Sequence, residues 1–179
     1  MSRAKRLAKQ IERTVTGPMW HGPALADVLG GVTANFARNR PVPGAHSIWE
    51  LVLHISAWAD IARQRVQGRA SGDPTPEQDW PPVTVSGSDP KSGPDPGSDW
   101  ALAVERLGES HRHLAADARQ LDDERLDALV PGLDYTVSVL LHGIVEHGTY
   151  HGGQIALLRR AGGADLGRPA GGASPAAST

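Results

Sequence analysis

The stretch that most limits the fold of this chain is residues 136–160, TVSVLLHGIVEHGTYHGGQIALLRR, which has the pattern of one uninterrupted helix. Positions on one face recur at alternating spacings of four and three residues: Val137, Leu141, Ile144, Gly148, His151, Ile155 and Leu158. This spacing is typical of a helix that packs along one face against other helices. We therefore expect an all-α fold in which this helix is one member of a bundle.

Two histidines in this helix, His147 and His151, are one turn apart, so their side chains project in the same direction. His151 lies on the apolar face itself. An imidazole that faces the interior of a bundle has to be hydrogen-bonded, protonated beside a carboxylate, or bound to a metal. Because the chain contains no cysteine, a metal site would have to use His, Asp or Glu.

Three further long helices are predicted, at residues 2–16, about 48–67 and about 100–120. The second of these begins with a capping box formed by Ser47 and Glu50. Ser98 or Asp99 is the expected cap of the third. Short helices are expected at 23–29, 33–38 and 122–130, and no stretch has the pattern of a buried strand. The prediction is a bundle of four long helices.

Residues 68–98 are rich in proline, glycine, serine and aspartate and show no helical period. They are expected to form a long crossover that contacts the bundle through Trp80 and residues 83–85. A long crossover allows the two helices that it joins to run parallel. Residues 162–179 are mostly small, with almost no bulky apolar side chain, so we expect a flexible tail after a single bundle domain at 1–161.

The overall charge excludes several classes of partner. A net charge of −2 and an isoelectric point near 6.4 argue against nucleic acid and anionic membranes. No segment approaches the roughly 20 apolar residues that span a bilayer, and the N-terminus lacks the apolar core of a secretory signal. The expected location is cytoplasmic.

A metal site needs a third ligand from another helix, and His54 is the best candidate because it lies on the apolar face of the second long helix. Three neutral imidazoles would leave an open coordination position, as in catalytic sites. The alternative is that these histidines are hydrogen-bonded core or rim residues. His111, also on an apolar face, is a rival ligand, although a simple packing role is the more favoured interpretation for it.

Several neighbours have possible supporting roles. Glu146 could act as a base, but its helical position points it away from the histidine pair, and His142 differs in direction by about 140° from His147. Gln154 is a candidate hydrogen-bond partner near the ligands. Trp80 could line the mouth of a pocket. The glycines of the last helix indicate either close helix approach or space kept open beside the ligands: Gly148, Gly152 and Gly153.

The segments HSIWELVLHISAW (46–58) and HGIVEHGTYHGGQIALLRR (142–160) resemble the two most recognisable segments of the DinB/YfiT-like superfamily of metal-binding four-helix bundles. The resemblance implies an up-down-down-up bundle with a long crossover between the second and third long helices, and a homodimer. It also implies that His54, His147 and His151 are the metal ligands. Gly152 departs from the family pattern, which often has arginine there, so an anion contact by such an arginine is not expected.

Characterised members of the family include thiol S-transferases and isomerases that use a low-molecular-weight thiol such as bacillithiol or mycothiol. The resemblance therefore implies an enzyme that joins a thiol to a small-molecule electrophile at a divalent metal ion. Zinc or nickel is expected ahead of iron or manganese. A metal-dependent hydrolase, and a non-catalytic dimeric bundle that binds a metal or small ligand, are the alternatives.

Overall fold

The structure, a computed structural model, describes residues 1–84 and 95–163. In these ranges the chain is mostly helical and contains no strand, which confirms the all-α prediction. The helices are α1 (Arg3–Thr16), α2 (Leu25–Leu29), α3 (Ala34–Arg38), α4 (Ile48–Val66), α5 (Pro76–Asp79), α6 (Pro96–Ala118), α7 (Asp123–Asp127) and α8 (Val137–Ala161). The four long ones are α1, α4, α6 and α8, at or close to the positions predicted.

Two helix starts differ from the prediction. α6 begins at Pro96 instead of near residue 100, because the side chain of Asp95 accepts hydrogen bonds from the backbone of Gly97 and Ser98. The crossover, predicted to lack helical structure, contains the short helix α5. Thr75 and Gln78 exchange side-chain and backbone hydrogen bonds there, and proline occupies the first turn.

The long helices surround two apolar clusters, and α1 and α4 are each in contact with both α6 and α8. The first cluster contains the first halves of α4 and α6 and the last turns of α1 and α8. The second contains the last halves of α4 and α6 and the first halves of α1 and α8. On α4 and α8, His54 and the pair His147 and His151 occupy the positions between the two clusters.

Helices α1 and α2 approach α8 closely where α8 has glycine. A Cβ added to Gly148 would lie 2.5 Å from Cγ2 of Thr14, and one added to Gly152 would lie 3.4 Å from Leu25. A Cβ at Gly153 would meet nothing within 4 Å. Close helix approach therefore explains Gly148, but it does not explain Gly153.

Residues 85–94 and 164–179 lie outside the described residues. The expected contact of Val85 with the bundle and the flexible tail at 162–179 fall wholly or mostly there, and they stay predictions. No helix among residues 1–84 and 95–163 combines the length and apolar character that a membrane span requires.

Candidate metal centre

The Nε2 atoms of three histidines converge between α4 and α8. Nε2 of His147 lies 3.0 Å from Nε2 of His54 and 3.1 Å from Nε2 of His151. One ligand atom from each ring lies within 4.8 Å of the others, so the three could hold a metal ion. The structure thus brings together the three histidines that the sequence selected.

The opposite nitrogens of two of these rings are occupied. Nδ1–H of His54 donates to the backbone carbonyl of Asp79 at 2.6 Å. Nδ1–H of His151 donates to Oε1 of Gln154, also at 2.6 Å. These contacts place the proton on Nδ1 and leave the Nε2 lone pairs directed at the centre of the cluster. A ring nitrogen anchored in this way is the usual support of a metal-ligating histidine.

Burial favours the neutral form of the three rings. His54 and His151 are buried, at 5% and 6% exposed, and His147 is partly buried. Loss of solvation lowers the pKa of His54 and of His151 below the usual value. The same effect, reinforced by the neighbouring imidazoles, lowers the pKa of His147 to about 3. Neutral imidazole is the form that binds a metal.

Aromatic side chains wall one side of the cluster. Trp80 stacks on His54, with ring centroids 3.8 Å apart, and also stacks on His46. Trp58 packs near His147, and its Nε1–H donates to Oδ1 of Asp79 at 2.7 Å. Trp80, predicted to lie at a pocket mouth, therefore covers a face of the candidate ligand His54.

Asp79 is a residue of the candidate site that the sequence interpretation missed. Its backbone carbonyl orients His54, and its carboxylate holds Trp58 and lies 3.3 Å from Nδ1 of His54. A local signal was present, since Thr75, Pro76 and Gln78 have the spacing of a capped helix start that would end at this residue.

Of the remaining candidates, only Gln154 contacts one of the three histidines among the described residues. His111 is buried on α6, where its Nδ1–H donates to the carbonyl of Leu107 at 2.9 Å, and it is not part of the convergent group. This agrees with a packing role. His142 and Glu146 are exposed on α8. Gln154, a candidate hydrogen-bond partner, is bonded to His151.

The donor set fits a borderline-soft divalent ion. Imidazole nitrogen suits zinc, nickel and iron, and nitrogens bound at about 2.0–2.1 Å to one such ion lie roughly 2.9–3.4 Å apart, depending on the coordination geometry. The two Nε2 separations that involve His147, 3.0 Å and 3.1 Å, fall within that range.

The fold and the site together define a class: all-α proteins whose long helices bring three histidines into position for a divalent metal. The chain belongs to the DinB superfamily, whose family model matches residues 20–155. The matched range contains all three histidines, the whole of α4 and most of α8. The resemblance carried by residues 46–58 and 142–160 is therefore confirmed at the level of the superfamily. No curated protein matches the chain.

Proposed function

We propose that the protein is a metal-dependent enzyme in which His54, His147 and His151 hold one divalent cation, with zinc or nickel the first candidates. Its reaction is the transfer of a low-molecular-weight thiol to a small-molecule electrophile. The observation that carries the proposal is the convergence of three Nε2 atoms. Two of these rings are anchored through Nδ1 by Asp79 and Gln154.

A cation held by the three histidines would lower the pKa of a thiol bound to it. The protein supplies orientation and shielding. Asp79 and Gln154 hold two rings, while Trp80 covers His54 and limits access by water. In the transfer, the thiol would lose its proton to solvent, its sulfur would bond to the electrophilic carbon, and the leaving group would depart with the electron pair of the bond that breaks.

The same proposal includes an up-down-down-up arrangement of α1, α4, α6 and α8. The division of each long helix between the two apolar clusters supports it. α1 and α8 start in the second cluster and end in the first, whereas α4 and α6 start in the first and end in the second. The crossover between α4 and α6 is long enough to return the chain for two parallel neighbours.

Metal analysis of protein purified without a His tag tests the site. We expect about one zinc or nickel ion per chain, and loss of that ion in His147→Ala. His142→Ala is the matched control, because it removes an exposed imidazole from the same helix. A wild-type protein without metal, whose melting temperature does not change on chelation, would overturn the metal centre.

A thiol-consumption assay then tests the reaction. The metal-loaded protein is incubated with bacillithiol or mycothiol and a panel of electrophiles, and S-conjugates are measured by mass spectrometry. Conjugates that vanish in His147→Ala support transfer. Release of hydrolysis products without thiol would instead assign a hydrolase, and neither product would leave a binding protein. The homodimer and the cytoplasmic location stay predictions.

A further inference from the structure

A cavity of about 250 Å³ opens beside the histidine cluster, and His147 forms one of its walls. Its lining is otherwise apolar or aromatic. The residues that line it are Trp58, Tyr135, Val139, Leu140, Gly143, Ile144 and His147. A cavity of about 150 Å³ already accepts benzene, so this one has room for a substituted aromatic ring.

Two of the aromatic walls are held by the same buried arginine. Nη1 of Arg65 donates to the hydroxyl of Tyr135 at 2.8 Å. The guanidinium carbon of Arg65 also lies 5.6 Å from the ring centroid of Trp58, as a cation–π contact. Nη2 of Arg65 donates to the carbonyl of Gly72 at 2.6 Å. Arg65 therefore fixes both walls from behind the cavity.

The hydrogen bond from Arg65 determines what Tyr135 can offer a ligand. A guanidinium has only donors, so the phenol oxygen must be the acceptor, and the hydroxyl hydrogen stays available. The indole N–H of Trp58 is already used by Asp79. Among the side chains that line the cavity, Tyr135 is thus the hydroxyl donor for an oxygen atom of a ligand.

The charge behind the cavity favours an anion. Arg65 is 2% exposed, and its Nε has no partner. No carboxylate of the described residues lies within 4.0 Å of its guanidinium nitrogens. A buried charge without a counter-ion is costly, and a ligand that brings a negative charge near it recovers part of that cost.

We propose that this cavity is the substrate pocket, and that it takes a small aromatic acid. The ring fills the apolar space, and a carboxylate oxygen accepts the hydrogen bond from Tyr135. The positive charge of Arg65, which donates to the same hydroxyl, offsets the negative charge of the carboxylate. Tyr135 is then a binding residue and Arg65 a positioning residue. That the bound acid is the electrophile rests on the proposed function, and His147 is the residue of the histidine cluster that lines the cavity.

Binding of three simple probes to chelator-treated protein tests the pocket separately from the metal. The probes are benzoate, benzyl alcohol and benzylamine, which share a ring and differ in charge, and titration calorimetry or ligand NMR gives each Kd. We expect benzoate to bind at least about tenfold more tightly than benzylamine, with the alcohol between them. Equal affinities, or no binding of benzoate at millimolar concentration, would overturn the proposal.

Matched variants locate the binding. Tyr135→Phe should weaken benzoate at least about tenfold, whereas Tyr150→Phe, the other tyrosine of the chain, should not change it. Gly143→Leu should abolish binding, because the space at its Cβ position is open and a leucine side chain would occupy the cavity. Gly153→Leu places the same side chain on the same helix outside this cavity.

The test of Arg65 has to distinguish a role in ligand preference from a role in holding the fold. Arg65→Met should remove the preference for benzoate over benzyl alcohol while the alcohol still binds. If Tyr135→Phe and Gly143→Leu both bind benzoate as the wild type does, the cavity is not the pocket. Because these titrations exclude metal, such a result leaves the metal analysis of the proposed function independent.

Discussion

The indole of Trp80 lies flat on the imidazole of His54, with ring centroids 3.8 Å apart and planes 8° from parallel. Trp80 follows directly after α5, so a residue of the crossover covers a candidate ligand on α4. The crossover is therefore part of the candidate metal centre, in addition to being a connection between helices.

Removal of this cover is expected to open the centre to solvent. In Trp80→Ala, a chelator should remove the metal ion about ten times faster than from the wild type, because the apolar shell that limits access is lost. The measurement is stopped-flow metal release to a chelating dye. Trp20→Ala is the control, since Trp20 is 91% exposed. Equal release rates for all three proteins would contradict a covering role.

The carboxylate of Asp79 is expected to tune metal affinity. Asp79→Ala removes the acceptor for Trp58 and the negative charge 3.3 Å from Nδ1 of His54, but it keeps the backbone carbonyl. We expect about a tenfold rise in the zinc Kd, measured by competition with a chelating dye. Asp73→Ala, an exposed aspartate of the same crossover, should bind zinc normally. If the two variants have the same Kd, Asp79 acts only through its backbone.

His111 is expected to make the protein sensitive to acid. Burial lowers its pKa from 6.5 to about 4, against the raising effects of Leu107 and Asp60. The unfolded chain therefore takes up the proton first, so the stabilising contribution is complete above pH 6.5 and is lost as pH falls towards 4. The difference between the pKa values of the unfolded and folded chain corresponds to about 3 kcal/mol of unfolding free energy.

His111→Phe should flatten this part of the pH profile, as measured by urea unfolding of the metal-free protein from pH 7 to pH 4. His113→Phe is the comparison, because His113 is exposed on the same helix. A His111→Phe profile as steep as that of the wild type would assign the acid sensitivity to other groups.

The close contact of α1 with α8 is expected to make Gly148 intolerant of a side chain. Gly148→Ala places a Cβ 2.5 Å from Cγ2 of Thr14, whose hydroxyl is tied to the carbonyl of Gln10. The expected loss is about 1–3 kcal/mol of unfolding free energy, from overpacking. Gly153→Ala meets no atom within 4 Å and should gain up to about 1 kcal/mol from helix propensity. Denaturant unfolding of both variants measures these changes. Equal changes in unfolding free energy for the two variants would refute the explanation by close helix approach.

Features that depend on one helix were predictable from the sequence. The spacing of His147 and His151 follows from helical geometry alone, and the capping box of Ser47 and Glu50 fixes the start of α4. His54 could be chosen because it lies on the apolar face of α4, and the burial of that face directs its side chain into the bundle.

Features that depend on the path of the crossover were not predictable. The bond from His54 to Asp79 joins residues 25 positions apart, and the bond from Arg65 to Tyr135 joins residues 70 apart. No periodicity connects such pairs, because only the folded chain brings them together. The proline and glycine content of residues 68–98 also concealed the single turn of α5.

The contact between His54 and His147 joins positions 93 residues apart on two different helices. An ion held there would act as a cross-link between the first and second halves of the chain. Since the unfolded polypeptide has no such preformed site, the free energy of ion binding would add directly to the free energy of folding. Heat resistance of this protein would then be a function of the metal supply of the cell.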